Sequence, residues 1–286
     1  MSPSSRRSAT ARESWPGSAR DVVILRARRA LPGVALVAVL SGCAARGFVL
    51  PTGPAVAAPD AALLWRHATA ACRGAATYSA EMRVKGRMGP DGTRLRGTLQ
   101  GAVTARDQIR LQLVAFGTTG FVLAGDAARA TLVIPRDNRV LTAPAADIVD
   151  ALTGLRLTPR ELLAVLSGCV SAGAAPRDGE WFGKVLVVPV GASRVFLRRA
   201  GSAAEVIGGE LGALTVAYSS HDGEFPAEVR LRSTAAASTP LDVTMILDQR
   251  SINTTLPDGT FRISVPAGAA PLTLQELRSA LREKQP

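Results

Sequence analysis

TYSAEMRVKGRM, residues 77–88, decides the fold. Taken two residues at a time, one face carries Tyr78, Ala80, Met82, Val84 and Met88, and the other Ser79, Glu81, Arg83, Lys85 and Arg87. A period of two marks a strand with one buried and one wetted face. Pro90-Asp91-Gly92 follows as turn chemistry, and the alternation then resumes with Leu95, Leu99 and Val103 set against Arg94, Arg96, Thr98 and Gln100. Ile109, Leu111 and Leu113 continue it against Arg110 and Gln112. Strands this close along the chain pair antiparallel, and a sheet with one apolar face needs that face covered.

Outward from this core the same reading predicts strands over 120–126, 130–135 and 139–142, and, after a break, over 181–189, 194–198, 205–208, 214–219, 227–233, 241–252 and 260–265. Four helical stretches interrupt them. Residues 60–73 place Leu63, Leu64, His67, Ala71 and Cys72 at helical spacing behind a capping-type Asp60. Residues 144–152 end before Gly154. Thr158-Pro159-Arg160-Glu161 is a capping box with proline at the first helical position, opening a helix that carries Leu162, Leu163, Val165 and Leu166 up to Gly168. Thr273-x-x-Glu276 opens a last helix with Leu274, Leu277 and Leu281. The expected fold is mainly β, an antiparallel sheet of about eleven strands curved so that its concave apolar face lies beneath short helices.

Upstream, Arg26, Arg28 and Arg29 precede an apolar run from Leu31 to Leu40 that is too short to span a bilayer, which needs about 20 apolar residues. A basic n-region, a short apolar h-region and a small-residue junction mark a secretory signal over residues 1–42. Its end, Leu40-Ser41-Gly42-Cys43, resembles the bacterial lipobox, which implies lipidation of Cys43 as the new N-terminus; the alternative is an ordinary signal with an incidental cysteine. Ala44 in place of an aspartate points, by resemblance to enterobacterial lipoproteins, to the inner leaflet of the outer membrane, facing the periplasm. Residues 43–59, rich in Ala, Pro and Gly, are expected to form a lipidated tether reaching about 20–25 Å, and residues 60–286 a single domain.

The formal net charge of +11 is partly the leader's, because residues 1–42 hold seven arginines against Glu13 and Asp21. Lysine occurs only at positions 85, 184 and 284, and no basic stripe is interleaved with stacking aromatics, so nucleic acid is not the expected partner. The remaining positive charge favours an anionic membrane surface. With Cys43 modified, Cys72 and Cys169 remain; an oxidising compartment favours a disulfide between them over two free buried thiols.

Residues for catalysis are scarce. His67 and His221 are the only histidines, and His67 reads as a partly buried helix residue. Ser219-Ser220-His221-Asp222 reads as a turn. No G-x-S-x-G, H-E-x-x-H, C-x-x-C or phosphate-cradling loop is present. Asp147 and Asp150 lie one helical turn apart and read as a solvated face rather than a cation site. No enzyme, cofactor or metal is expected.

The segment LVAFGTTGFVLAGDAARATLVIPRDNRVLTAPAADIVDALTGLRLTPRELLAVLSG, residues 113–168, resembles the LolB lipoprotein receptor and related LolA-like lipoproteins. The likeness rests on Ala115-Phe116-Gly117-Thr118, the strand 121–125, Leu152-Thr153-Gly154 and the helix 162–168, with 261–266 adding to it. It implies an open, unclosed β-barrel lidded by helices that binds acyl chains of lipoproteins or lipids, with a periplasmic carrier protein as a further partner and the chain acting as a monomer. The lining it implies is Leu111, Leu113, Phe121, Leu123, Leu152, Leu155, Leu162, Leu163 and Leu166, beneath a lid formed by 145–152 and 160–167. Phe116 stands where LolB presents a leucine that helps insert lipoproteins into the membrane; ordinary core is the other reading of it. A structural or assembly lipoprotein of the envelope, working through protein contacts, is the alternative function.

Overall fold

The computed structural model describes residues 53–201, 203–237 and 239–283. The expected leader, Cys43 and the first part of the tether lie outside the described residues. Fifteen strands form one sheet. In chain order they are β1 (Val56–Ala57), β2 (Thr77–Met88), β3 (Thr93–Thr104), β4 (Gln108–Ala115), β5 (Thr118–Asp126), β6 (Ala130–Ile134), β7 (Arg139–Ala143), β8 (Glu180–Phe182), β9 (Val185–Val190), β10 (Ser193–Ala200), β11 (Ala203–Leu211), β12 (Leu214–Asp222), β13 (Phe225–Ser233), β14 (Leu241–Ile252) and β15 (Ala270–Pro271). The helices are α1 (Ala61–Ala68), α2 (Ala70–Arg73), α3 (Ala145–Thr153), α4 (Pro159–Ser167) and α5 (Leu274–Glu283).

The sheet runs β1-β8-β9-β10-β11-β12-β13-β14-β2-β3-β4-β5-β6-β7-β15 and is open, with β1 and β15 at its two edges. Every neighbouring pair is antiparallel except β15, which lies parallel to β7. The long central ribbon of β14, β2 and β3 holds the alternation seen in the sequence: Tyr78, Ala80, Met82 and Val84 of β2 are buried against the interior, while Arg83, Lys85 and Arg87 are exposed. The short β1, β8 and β15 raise the strand count above the expected eleven.

Several expectations need correction. Residues 260–265 form no strand: the chain turns there, Thr260 N–H donating to Pro257 O and Arg262 N–H to Gly259 O, and the Arg110 guanidinium reaches the carbonyls of Thr260 and Arg262 at 3.2 and 3.4 Å. A side chain thus takes the backbone acceptors that a neighbouring strand would otherwise satisfy. The stretch 181–189 is two strands, because Gly183 and Lys184 turn β8 back onto β9, pairing Phe182 with Val185. Residues 56 and 57, within the expected tether, pair with β8, and Ala58 behind them is buried. The helix expected over 60–73 breaks at Thr69, whose hydroxyl donates to Trp65 O at 2.8 Å. Asp60 makes no side-chain cap, and the buried face is Ala61, Trp65, Thr69 and Cys72, leaving Leu63 and His67 exposed. The bulk of Trp65 selects that face.

The helices over the concave face follow their sequence signals closely. Thr158 and Glu161 close a reciprocal capping box at the start of α4, and Thr273 and Glu276 bond in the same way ahead of α5. α3 lies over β6 and against α5, and α4 crosses β3 and β13. The far end of α4 is held at several points. Cys169 is disulfide-bonded to Cys72 of α2, with Cα atoms 5.6 Å apart. Buried Tyr218 of β12 donates its hydroxyl to Val165 O at 2.9 Å and accepts Val170 N–H at 3.2 Å. Burial pushes that hydroxyl well above the usual tyrosine range, so it stays a neutral donor. Val170 sits at φ 65°, an uncommon place for a β-branched residue, and packs over Gly209, where a Cβ would meet Val170 Cγ1 at 2.8 Å and Arg194 O at 2.4 Å.

Tyr218→Phe is expected to leave Val170 N–H and Val165 C=O short of a partner and to lower unfolding free energy by about 1–3 kcal/mol. The double change Cys72→Ser with Cys169→Ser releases a loop of 97 residues, and chain entropy alone gives a loss of up to about 4–5 kcal/mol. Urea titrations of the three proteins check both; a Tyr218→Phe protein as stable as the parent would show that the two bonds do not hold α4.

Candidate functional site

Strand pairing puts the turns 89–92, 116–117, 135–138, 191–192, 212–213 and 234–240 at one rim of the sheet, and 105–107, 127–129 and 223–224 at the other. At the second rim α4 closes the concave side: Arg160 at its start reaches Asp107 Oδ2 at 3.0 Å and Ala105 O at 2.8 Å, and Gly168 at its end lies against Pro226. Toward the first rim the cover over β2 to β5 thins. Along the inward face Met82, Val103, Ile109 and Leu123 are buried, whereas Met88, Leu95, Leu99, Leu113 and Phe121 are partly exposed.

At this first rim lies a cleft of about 720 Å³, between the α3–α4 connection and the turns of β9–β10, β11–β12 and β13–β14. Leu155, Leu157, Val190, Leu211, Ala213 and Leu214 give it apolar walls, with Asp150, Arg156 and Glu161 at its margin. The volume lies within the range of small-molecule sites, roughly 300–1,000 Å³.

The nine residues expected to line a cavity are distributed differently. Leu111, Leu123, Leu155, Leu163 and Leu166 are buried in one continuous core, and Phe121, Leu152 and Leu162 pack on its edge. Leu113 is half-buried beside Gly97 and Gly120. Of the nine, Leu155 also borders the cleft. The interior directly beneath α4 is therefore occupied by the protein's own side chains, and the cleft lies apart from it, at the first rim. Val190, Leu211, Ala213 and Leu214 were missed because they sit at the turn-proximal ends of strands, where alternation alone does not tell a covered position from an uncovered one.

Phe116 projects from the same rim and is 97% exposed. Ala115 pairs with Thr118 across a two-residue turn in which Phe116 and Gly117 have φ of 51° and 72°. Positive φ at both central positions is the type I′ pattern, which favours Asn, Asp or Gly first and Gly second. A non-glycine residue there costs about 1–2 kcal/mol, and Phe116 recovers nothing by packing.

The remaining candidates fall elsewhere. His67 and His221 are both exposed and border one recess of about 230 Å³ at the second rim, with Cys72, Ser167 and Glu205. Residues 219–222 are the end of β12 rather than a turn: a bulge separates Tyr218 from Ser220, Ser219 Oγ bonds Glu228 at 2.7 Å and Asp222 accepts from Arg250 at 2.6 Å. Asp147 pairs with Arg156 and Asp150 with Arg278. Among the described residues no group of three or more His, Cys, Asp or Glu is placed to hold a metal ion, and no helix is long and apolar enough to cross a membrane.

Neither a protein-family model nor a curated protein matches the chain. Solved structures do. The chain is similar to LolA-type structures. A LolA superfamily protein from Nitrosomonas europaea matches with 12% identity and a TM-score of 0.46, over 71% of this chain and 97% of that one. A putative outer membrane lipoprotein-sorting protein domain from Vibrio parahaemolyticus matches with 11% identity and a TM-score of 0.42, over 71% and 96%. The lipoprotein LppX from Mycobacterium tuberculosis matches with 10% identity and a TM-score of 0.31, over 70% and 98%.

Because Phe116 occupies an unfavourable backbone position with no compensating contact, Phe116→Asn is expected to raise stability by up to about 1 kcal/mol. A thermal melt of the two proteins checks this, and a marked loss of stability would show that Phe116 packs against the fold.

Proposed function

We propose that this chain is a lipid-anchored protein of the bacterial envelope that binds an acyl chain, from a lipoprotein or a lipid, in its rim cleft and carries or inserts it at the outer membrane. The observation that carries the reading is the cleft of about 720 Å³ at the same rim as Phe116, on an open sheet whose strands β2 to β5 grow less covered toward that rim. Burial of acyl methylenes supplies the affinity, about 0.8 kcal/mol for each. No directional bonds are required, which accords with the apolar walls. The headgroup end would meet Asp150, Arg156 and Glu161 at the margin.

Leu123, Leu163 and Leu166 fill the space under α4, so a chain longer than the cleft enters only if the α3–α4 cover shifts. α3 is the element this reading requires to shift, breaking its Asp150–Arg278 pair, since the end of α4 is held by Tyr218 and the disulfide. Phe116 is the bilayer contact in this reading, bringing the cleft to the membrane surface while acylated Cys43 keeps the protein there.

Native mass spectrometry of the detergent-free chain from residue 43 onward, with Cys43→Ser, tests the proposal: a mass increment corresponding to bound lipid is expected, displaced by a fluorescent fatty acid. Ala213→Trp, which fills the cleft from a half-buried wall position, should weaken the fatty acid about tenfold with little change in melting temperature. A lipid-free mass together with no fatty-acid binding would overturn the reading and favour a role through protein contacts.

A further inference from the structure

The convex face of the sheet near the first rim carries an unbalanced cluster of cations. β2 and β3 pair so that Lys85 stands directly opposite Arg96 and Arg87 directly opposite Arg94, and all four side chains are exposed. Like charges facing each other across a ladder destabilise it. No ion pair joins any of the four to a carboxylate among the described residues. Asp242, next to Arg87 on β14, is held by Arg230 at 2.7 Å and by Arg232 at 3.3 Å, and those bonds keep its carboxyl below the usual range. Arg83, one step further along β2, is matched by Asp248 at 2.6 Å. The charge is thus balanced at mid-sheet and uncompensated at the rim.

The ribbon that carries it also projects. The last register pair between β3 and β4 is Thr98 with Val114 and Gly97 lies beside Ala115, so residues 93–95 extend beyond the Phe116 turn, about 10 Å of strand at 3.3 Å per residue. A cationic ribbon thereby stands beside an exposed aromatic ring at the same end of the molecule.

We propose that Lys85, Arg87, Arg94 and Arg96 form a docking surface for a membrane rich in anionic phospholipid. An anionic sheet of headgroups relieves the repulsion between the facing pairs, and a flat surface can engage four cations spread over two strands at once. Each basic side chain held near such a surface adds to the attraction, so the four together set the orientation in which the rim meets the bilayer. The inference extends the reading of Phe116 as a bilayer contact, but it does not depend on the cleft holding a chain.

Vesicle co-sedimentation tests it, using the chain from residue 43 with Cys43→Ser; among the described residues all fifteen strands, the five helices and the core lie within 53–283, so this protein carries the sheet that bears the patch. Binding to vesicles containing phosphatidylglycerol is expected to exceed that to phosphatidylcholine alone and to fall as salt shortens the Debye length from about 10 Å to about 3 Å. Lys85→Glu with Arg96→Glu should weaken anionic binding on the order of tenfold or more, whereas Arg106→Glu with Arg129→Glu, an equal charge change on exposed residues of the other rim, should leave it near the parent level. Lys85→Glu alone places opposite charges across the ladder, so its melting temperature should equal or exceed the parent's, separating lost binding from lost folding. Phe116→Ser should lower binding to both vesicle types alike; if it has no effect while the Lys85/Arg96 pair does, the patch stands and the insertion reading falls. Equal losses from the two double variants, or binding indifferent to phosphatidylglycerol, would overturn the proposal.

Discussion

The structure depends on one constraint: a wide antiparallel sheet that does not close on itself has an apolar concave face, and something must keep water from it. α4 is the main cover, and it is fixed less by its own nine residues than by what grips its end. Tyr218 supplies one donor and one acceptor to the backbone on either side of Gly168, and the disulfide adds α2 to the same point. Val170 is held at positive φ in the midst of these contacts, and Gly209 leaves the room it needs. A strained residue survives only where its surroundings over-determine it. This end of the molecule is accordingly rigid.

Fixing one rim leaves the other rim as the place where structure can vary. Inward residues of β2 to β5 pass from buried at the α4 end to partly exposed toward the Phe116 end, and the cleft opens on that side. The proposed carrier role would draw on this division: a core that keeps the fold intact when the site is empty, and a cleft that a ligand can enter without unfolding it. α3 ends beside that mouth, where Gly154 approaches Thr239 of the β13–β14 loop.

Much of this was legible in the sequence because it follows from short-range rules. Period-two alternation over 77–113 located the central strands, and the Thr158/Glu161 and Thr273/Glu276 boxes located two helix starts, since each signal depends on residues within a turn or a ladder step of one another. What was not legible depends on packing at a distance. Phe261, Ile263 and Val265 alternate like a strand, yet Arg110, far away in sequence, takes the carbonyls there. Leu63 and His67 share a helical stripe with Leu64, yet Trp65 turns the helix the other way. The depth to which α4 sinks into the sheet has no local signature, and for that reason residues such as Leu123 and Leu163, expected around a cavity, are core.

The features at the open rim share a property: each is locally unfavourable, without the surrounding grip that holds Val170. Phe116 occupies a backbone conformation better suited to asparagine, and it offers its ring to water. Lys85 and Arg87 face Arg96 and Arg94 across a ladder in which an acidic residue on either side would add stability. On other strands the same kinds of position are filled favourably, as where Arg198 faces Glu205 and, at the same rim, Arg194 faces Glu210 across β10 and β11. Departures from local preference that cluster in space, at the rim where β2 to β5 are thinly covered, are accounted for together if that rim meets an apolar and anionic surface.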